Sequence, residues 1–470
     1  MHEPNPTPLL RDGDATLAEQ LAQRYAERIR ARLLPPGARL PSVREGARRH
    51  RVSPTTVVAA YDRLLAQGLV EARRQRGFFV RERRDTTARA PSGPAPRPSP
   101  VDATALIRSM FQRGHGRSDP GMGTLPADWL DAPLLHTALR RAAADDTLAR
   151  EYGEPAGDER LRRALAARLA DLGVRADPGQ IVTAAGATQA LDLVSRALLQ
   201  PGDAVLVDEP GWAVEFARLT QLGMRLLPVP RTPQGPDLDV MRRLIADHRP
   251  RLYVTVSVLH NPTGGSLSLA VAHQLLKLAE AHDLVVVEDD TYAWLAPPHA
   301  PRLAALDDLQ RTVHISGFSK ILAPNWRVGF AALPAALVER VIDLKLLTTL
   351  ATPTLPERAV ALCLERGWLR RHAERVVVQL DAARSRTVAL AQAAGCRFAA
   401  PPQGLFGWVD VGADTQAMAQ AMLDHGWLTA PGTLFHAAPR ASSLMRVNFA
   451  TSQDPKFWRA VAGWRAARTV

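Results

Sequence analysis

Lys320 closes the run Ser316-Gly317-Phe318-Ser319-Lys320 and is one of only four lysines in a chain that carries 59 basic residues. Arginine stands almost everywhere that either cation would serve. It cannot replace lysine where an amine must condense with a carbonyl. A guanidinium stays protonated, whereas a desolvated lysine amine can lose its proton and attack. A lysine kept after a strand-like run, with Arg327 seven residues on, points to Schiff-base attachment of pyridoxal phosphate. A surface lysine is the other reading of that run, so the rest of the chain must arbitrate.

Five further stretches bear on it. Gly186-Ala187-Thr188 follows the apolar run Ile181-Val182-Thr183 and opens a helix expected over Gln189–Leu199. First-turn N–H groups and a threonine hydroxyl there suit a phosphate, although the stretch is also a plain strand-to-helix turn. Trp212, in Asp208-Glu209-Pro210-Gly211-Trp212, can stack on a flat ring or pack into the core. Asn261, in His260-Asn261-Pro262-Thr263-Gly264, can hydrogen-bond a ring oxygen, and the same residues make a good turn. Glu288-Asp289-Asp290-Thr291-Tyr292 ends another apolar run. A buried carboxylate there can keep a pyridine nitrogen protonated, which makes the ring an electron sink, and Tyr292 can reach the phenolic oxygen; the alternative is an acidic strand-end loop. Arg327 can pair with a phosphate and Arg446 can clamp a carboxylate bidentately, though each alone also reads as a surface arginine. Their order decides, because most sit at strand ends, where ligands bind in open α/β sheets.

The elements that must position them alternate. Ile181–Thr183, Ala204–Val207, Leu252–Val256, Leu284–Val287 and Val313–Ile315 are short apolar runs separated mostly by helical patterns. This predicts an α/β domain with a mostly parallel sheet over about 118–355 and a smaller α+β portion over about 356–470. The whole of 118–470 resembles the fold type I pyridoxal phosphate-dependent aminotransferases. The resemblance implies Lys320 as the Schiff-base lysine, Asp289 on the pyridine nitrogen, and Tyr292 and Asn261 on the phenolic oxygen. It implies Trp212 over the ring, and Gly186, Ala187, Thr188 and Arg327 on the phosphate. Ser316 and Ser319 both remain candidates for the phosphate serine, and Arg446 is implied as the holder of an amino-acid carboxylate. Tyr152, in Tyr152-Gly153-Glu154-Pro155-Ala156-Gly157, matches the tyrosine that such enzymes lend to the neighbouring subunit's phosphate, which implies a homodimer.

The first fifth of the chain is different. The net charge of +12 is uneven: residues 1–90 carry +8, with 18 arginines against 10 acidic residues, and the other 380 carry +4. A basic first domain suggests nucleic-acid contact or a solvated basic surface. Leu17, Leu21, Tyr25, Ile29 and Leu33 recur at helical spacing, predicting a helix over 16–34 that Pro35-Pro36-Gly37 stops. A short helix over 41–50 with Ser42 as N-cap follows. Ser53 and Pro54 then open a third over 54–67, closed by Gly68. Leu69–Arg73 and Phe78–Val80 read as a hairpin with Arg74, Gln75, Arg76 and Gly77 at its tip. Three helices and a hairpin make a winged helix-turn-helix, whose third helix enters the major groove. The stretch from Leu34 to Val80 resembles the DNA-binding domain of the GntR family. That implies Arg44, Ser53, Thr55, Thr56 and Gly77 facing DNA, with Arg39 near the phosphates and Arg76 at the wing. It departs from the family at Pro54, where arginine is usual, and at Gly46, near a usual leucine, which is expected to loosen helix two.

Residues 13–84, a proline-rich linker over 85–117 and an aminotransferase-like domain together resemble the MocR-type regulators of the GntR family. The resemblance implies a regulator that binds double-stranded operator DNA and senses pyridoxal phosphate or its adduct with an amino acid or amine. A working aminotransferase with a DNA-binding appendage is the alternative. Two cysteines, no apolar run of spanning length and no apolar leader at the N-terminus predict a cytoplasmic protein without a membrane segment; no metal site is assigned.

Overall fold

The computed structural model describes residues 9, 15–31, 33–73, 76–81, 119–145, 150–438 and 440–467. The expected linker over 85–117 and the hairpin tip at Arg74 and Gln75 lie outside them.

The N-terminal unit has three helices, α1 (Leu17–Arg30), α2 (Val43–His50) and α3 (Pro54–Ala66), and a hairpin of β1 (Val70–Arg73) and β2 (Gly77–Val80). Local chemistry sets each helix start. Thr16 and Glu19 form a reciprocal capping box on α1, Ser42 caps α2, and Ser53 caps α3 with Pro54 in its first turn. Helix α1 ends at Arg30, earlier than its apolar spacing predicts, because the chain turns at Ala31 before reaching the prolines. Leu21, Tyr25, Val57, Tyr61 and Leu64 fill the core, with the Tyr25 and Tyr61 rings edge to face at 5.8 Å. Gly46 does not loosen α2. It is where α2 meets α3: a Cβ there would lie 3.1 Å from Val57 Cγ1, so a larger side chain would push the two helices apart. Replacing Ser53 by alanine should cost about 1 kcal/mol of this unit's stability through the lost cap, readable in urea melts.

The large α/β region is built on eight strands. They are β3 (Ile181–Ala184), β4 (Ala204–Glu209), β5 (Arg225–Thr232), β6 (Gly235–Pro236), β7 (Leu252–Thr255), β8 (Val285–Asp289), β9 (Thr312–Gly317) and β10 (Gly329–Ala332). The order is β3-β10-β9-β8-β7-β4-β5-β6, with β9, β8, β7, β4 and β5 mutually parallel and β10 antiparallel to both its neighbours. The central strands β7 and β9 are buried along their whole length and β8 in all but its first residue, as expected of a sheet covered by helices on both faces. A second, antiparallel sheet has the order β11-β12-β14-β13, formed by β11 (Arg397–Phe398), β12 (Phe406–Asp410), β13 (Ala430–Pro431) and β14 (Leu444–Asn448). Among the described residues, no helix is long and apolar enough to cross a membrane.

Candidate functional site

The C-terminal ends of the parallel strands, with the start of the helix after β3, carry nearly all the residues singled out in the sequence. The turn after β3 leads through Gly186 into the helix Ala187–Leu198. Gly186 adopts φ +85° and is its N-cap. A Cβ there would meet the Arg327 guanidinium at 2.4 Å, so only glycine leaves room for that side chain. Arg327 donates to Ser319 Oγ at 3.0 Å and to the Ala185 carbonyl at 3.0 Å. Gly186, Ser319 and Arg327 therefore form one basic cup beside the first-turn N–H groups of Ala187 and exposed Thr188. The two serine candidates separate here: Ser316 is buried in β9 and donates to the Asp290 carbonyl, while Ser319 faces the cup.

Three consecutive carboxylates end β8, and each goes a different way. Glu288 accepts from the Leu303 and Ala304 N–H groups, and Asp290 pairs with buried Arg302 at 2.6 Å. Asp289 alone lines a small cavity with Trp212, Glu215 and His260. Burial pushes its carboxyl up to about 6, against the hydrogen bonds that Thr291 donates to it, and nearby Glu215 adds to the rise. A buried carboxylate in this state is well suited to share a proton with a ring nitrogen.

Lys320 is half-buried. Burial first, then the Arg446 charge, bring its amine down to about 8, with Asp289 opposing. Tyr292 is buried with its ring edge-on to Phe406 at 5.4 Å, and burial raises its phenol above the ordinary value.

Arg446 sits on the central strand β14, buried, with its guanidinium 4.5 Å from the Phe406 ring centre and 5.2 Å from that of Phe435. It donates to Asn261 Oδ1 at 3.0 Å and to the Gly121 carbonyl at 2.7 Å. Its Nε is buried with no hydrogen-bond partner. Burial lowers it to about 10, so it stays cationic at neutral pH. A buried guanidinium with an unsatisfied donor fits a ligand carboxylate.

Lys320, Asp289, Tyr292, Asn261 and Arg446 thus converge, and Arg327, Ser319 and Gly186 flank them. Tyr152 does not join them within one chain: it is 89% exposed. The cup, the buried carboxylate and the half-buried amine fit pyridoxal phosphate.

Several contributors escape a reading of the sequence. Asp208, at the end of β4, accepts from Tyr253, Thr255 and Arg231, with His260 Nε2 at 3.5 Å. This buried network fixes the loop that presents Asn261. Glu215 lies one helical turn beyond Trp212, and that spacing was the available signal. Phe406 and Phe435 carried none.

In the N-terminal unit Arg44, Thr55, Arg76 and Gly77 are exposed. Arg39 lies beside Gly77, whose Cβ position is 3.6 Å from Arg39 Nε. Ser53 and Thr56 face each other instead: Ser53 Oγ accepts from the Thr56 N–H at 3.1 Å and lies 2.8 Å from its hydroxyl. Both are engaged in capping α3.

Comparison with known proteins bears on both units. Residues 122–462 match the family "Aminotransferase class I and II", and residues 17–80 match "Bacterial regulatory proteins, gntR family". The uncharacterized HTH-type transcriptional regulator YdcR of Escherichia coli is 29% identical, over 92% of this chain and 94% of its own. The probable rhizopine catabolism regulatory protein MocR of Rhizobium meliloti is 31% identical, over 70% of this chain and 68% of its own. Among solved structures, the α-aminoadipate aminotransferase LysN of Thermus thermophilus, complexed with N-(5′-phosphopyridoxyl)-L-leucine, superimposes with a TM-score of 0.69 at 26% identity. It covers 77% of this chain and 94% of its own.

Proposed function

We propose, since this chain belongs to the class I and II aminotransferase family and is a MocR-type member of the GntR regulators, that it is a DNA-binding transcriptional regulator sensing pyridoxal phosphate through its aminotransferase-like domain. The observation that carries this reading is the joining in one chain of a three-helix unit with its hairpin and a convergent Lys320, Asp289, Asn261, Tyr292 and Arg446.

Lys320 would hold the cofactor covalently, Asp289 would keep a proton at its ring nitrogen, and Tyr292 and Asn261 would orient the phenolic oxygen. Trp212 would cover the ring; Gly186, Ala187, Thr188, Ser319 and Arg327 would hold the phosphate, with Tyr152 reaching the phosphate of a second subunit. Arg446 would take the carboxylate of an amino-acid effector. Bound pyridoxal phosphate supplies an electrophilic carbonyl and an electron-accepting ring. The protein would act as a cytoplasmic homodimer whose two winged helices read two half-sites of an operator. An effector changes DNA affinity only by binding two arrangements of that dimer unequally.

Footprinting of the purified protein on the DNA upstream of its own gene, with and without pyridoxal phosphate, tests this. A protected repeat whose occupancy changes with the cofactor supports the reading; no protection in either state sinks it. Because the Lys320 amine is brought down to about 8, capture of added pyridoxal phosphate by the apoprotein should speed up about tenfold per pH unit below 8 and level off above it. Stopped-flow absorbance reads this, and a flat profile between pH 6.5 and about 8 would contradict it.

A second reading, turnover as an aminotransferase, is favoured by one observation: Lys320, Asp289 and Arg446 are all retained in convergent positions. Single-turnover loss of the cofactor's visible band on adding amino acids, followed by recovery with 2-oxo acids, would support it.

A further inference from the structure

The helix Thr415–Asp424 ends in a carboxylate that its own fold does not account for. Asp424 is the last residue, at the end where backbone carbonyls already concentrate negative charge, and it is 4% exposed. An acid in that position is unfavourable unless cations cover it. Its cationic partners come from the winged helix, where the Arg24 charge also acts on it. Arg28 of α1 and Arg49 of α2 each pair with Asp424, and Arg28 also donates to the Leu423 carbonyl at 2.7 Å. Gln420, one turn earlier, donates to the Leu33 carbonyl just beyond α1 at 3.2 Å. The Leu33 side chain packs against a cluster formed by Trp408, Leu428, Leu434 and Phe435.

That cluster is also the wall of the Arg446 site. Phe435 meets Trp408 edge to face at 5.4 Å and lies 5.2 Å from the Arg446 guanidinium. A second route is as short. Arg446 donates to the Gly121 carbonyl, and the Gly121 N–H donates to the Leu428 carbonyl at 2.9 Å. Gly121 packs closely on the next strand, since a Cβ there would lie 2.6 Å from the Thr429 backbone. A carboxylate arriving at Arg446 would compete with the Gly121 carbonyl for the guanidinium, and both routes end in the cluster against which Leu33 packs.

We propose that Asp424 is the socket that seats the winged helix on the C-terminal sheet region, and that through it the winged helix senses whether Arg446 holds a carboxylate. The second half rests on the reading of Arg446 given above; the socket itself does not. Two packed units can exchange information only if each has an alternative arrangement, and a buried ion cluster that either holds or releases is such an element.

Hydrogen exchange on the full-length protein tests both halves, the socket in the pyridoxal phosphate-loaded form. Asp424→Asn should raise exchange about tenfold or more in α1 as well as in Thr415–Asp424. The double variant Arg28→Gln, Arg49→Gln, altered only in the winged helix, should deprotect Thr415–Asp424 to a similar degree. Unchanged protection of that helix in the double variant overturns the socket; an unaltered visible cofactor band guards against general misfolding. The probe for Arg446 is N-(5′-phosphopyridoxyl)-L-leucine, added to the apoprotein. In the wild type it should change exchange in both β14 and α1, and in Asp424→Asn in β14 only. An equal response of α1 in the variant overturns the wiring. A probe that leaves β14 unmoved in the wild type instead refutes the carboxylate role of Arg446, and leaves the socket to be judged by the two variants.

Discussion

Lys320→Ala should abolish covalent retention of pyridoxal phosphate: after borohydride reduction, label on the protein falls to background. Acidity alone does not single out this lysine. Lys345 is also brought down to about 8, burial being the main cause. It is fully buried and spends its amine on the Thr183 and Thr352 hydroxyls, at 3.2 and 3.3 Å. Lys277 and Lys456 are exposed. Only Lys320 sits among Asp289, Arg446 and Arg327. Lys345→Met should therefore keep the reducible label, with an effect on stability through the lost hydroxyl contacts. Label retained by Lys320→Ala and lost by Lys345→Met would move the cofactor to the other amine. Non-covalent binding through Arg327 and Ser319 should persist more weakly in Lys320→Ala, which equilibrium dialysis would show.

The contrast between these two lysines shows what a sequence can and cannot disclose. Lys320 was legible because it follows a strand, and a strand end in an open parallel sheet faces the ligand crevice. The same logic exposed Asp289, Asn261 and Gly186. Central strands were legible because burial on both faces makes them continuous apolar runs. Strand β10 was not: Gly329-Phe330-Ala331-Ala332 has no β-branched residue and is held in place by β3 and β9 on either side. Nor were the features made by approach of distant segments. Nothing local to Arg446 announces Phe406 and Phe435 around it. Nothing near Asp424 announces Arg28, which is 396 residues away. The choice between Ser316 and Ser319 also waited on side-chain direction, which spacing to Lys320 could not give.

The DNA face yields the second large effect, and the structure alters which residues should carry it. Thr56 belongs to the start of α3, where it and Ser53 hydrogen-bond each other, so its loss would act on the fold as much as on binding. Arg44, in the first turn of α2, and Thr55, in the first turn of α3, are exposed and free of that duty. Arg44→Ala with Thr55→Ala should weaken operator binding by about 2–4 kcal/mol, roughly 30- to 1,000-fold, at fixed salt. The melting of the N-terminal unit and the cofactor's visible band should stay as in the wild type. Fluorescence anisotropy across a salt series separates the contributions. If Arg44 meets a phosphate, its replacement lowers the slope of log affinity against log salt by about one; if it meets a base edge, the slope holds and discrimination between operator and random DNA falls. Binding unchanged in the double variant would mean that α2 and α3 do not present these turns to DNA. The contact would then have to come from Arg39, Arg76 and Gly77 at the wing, where Arg39 and Gly77 lie side by side.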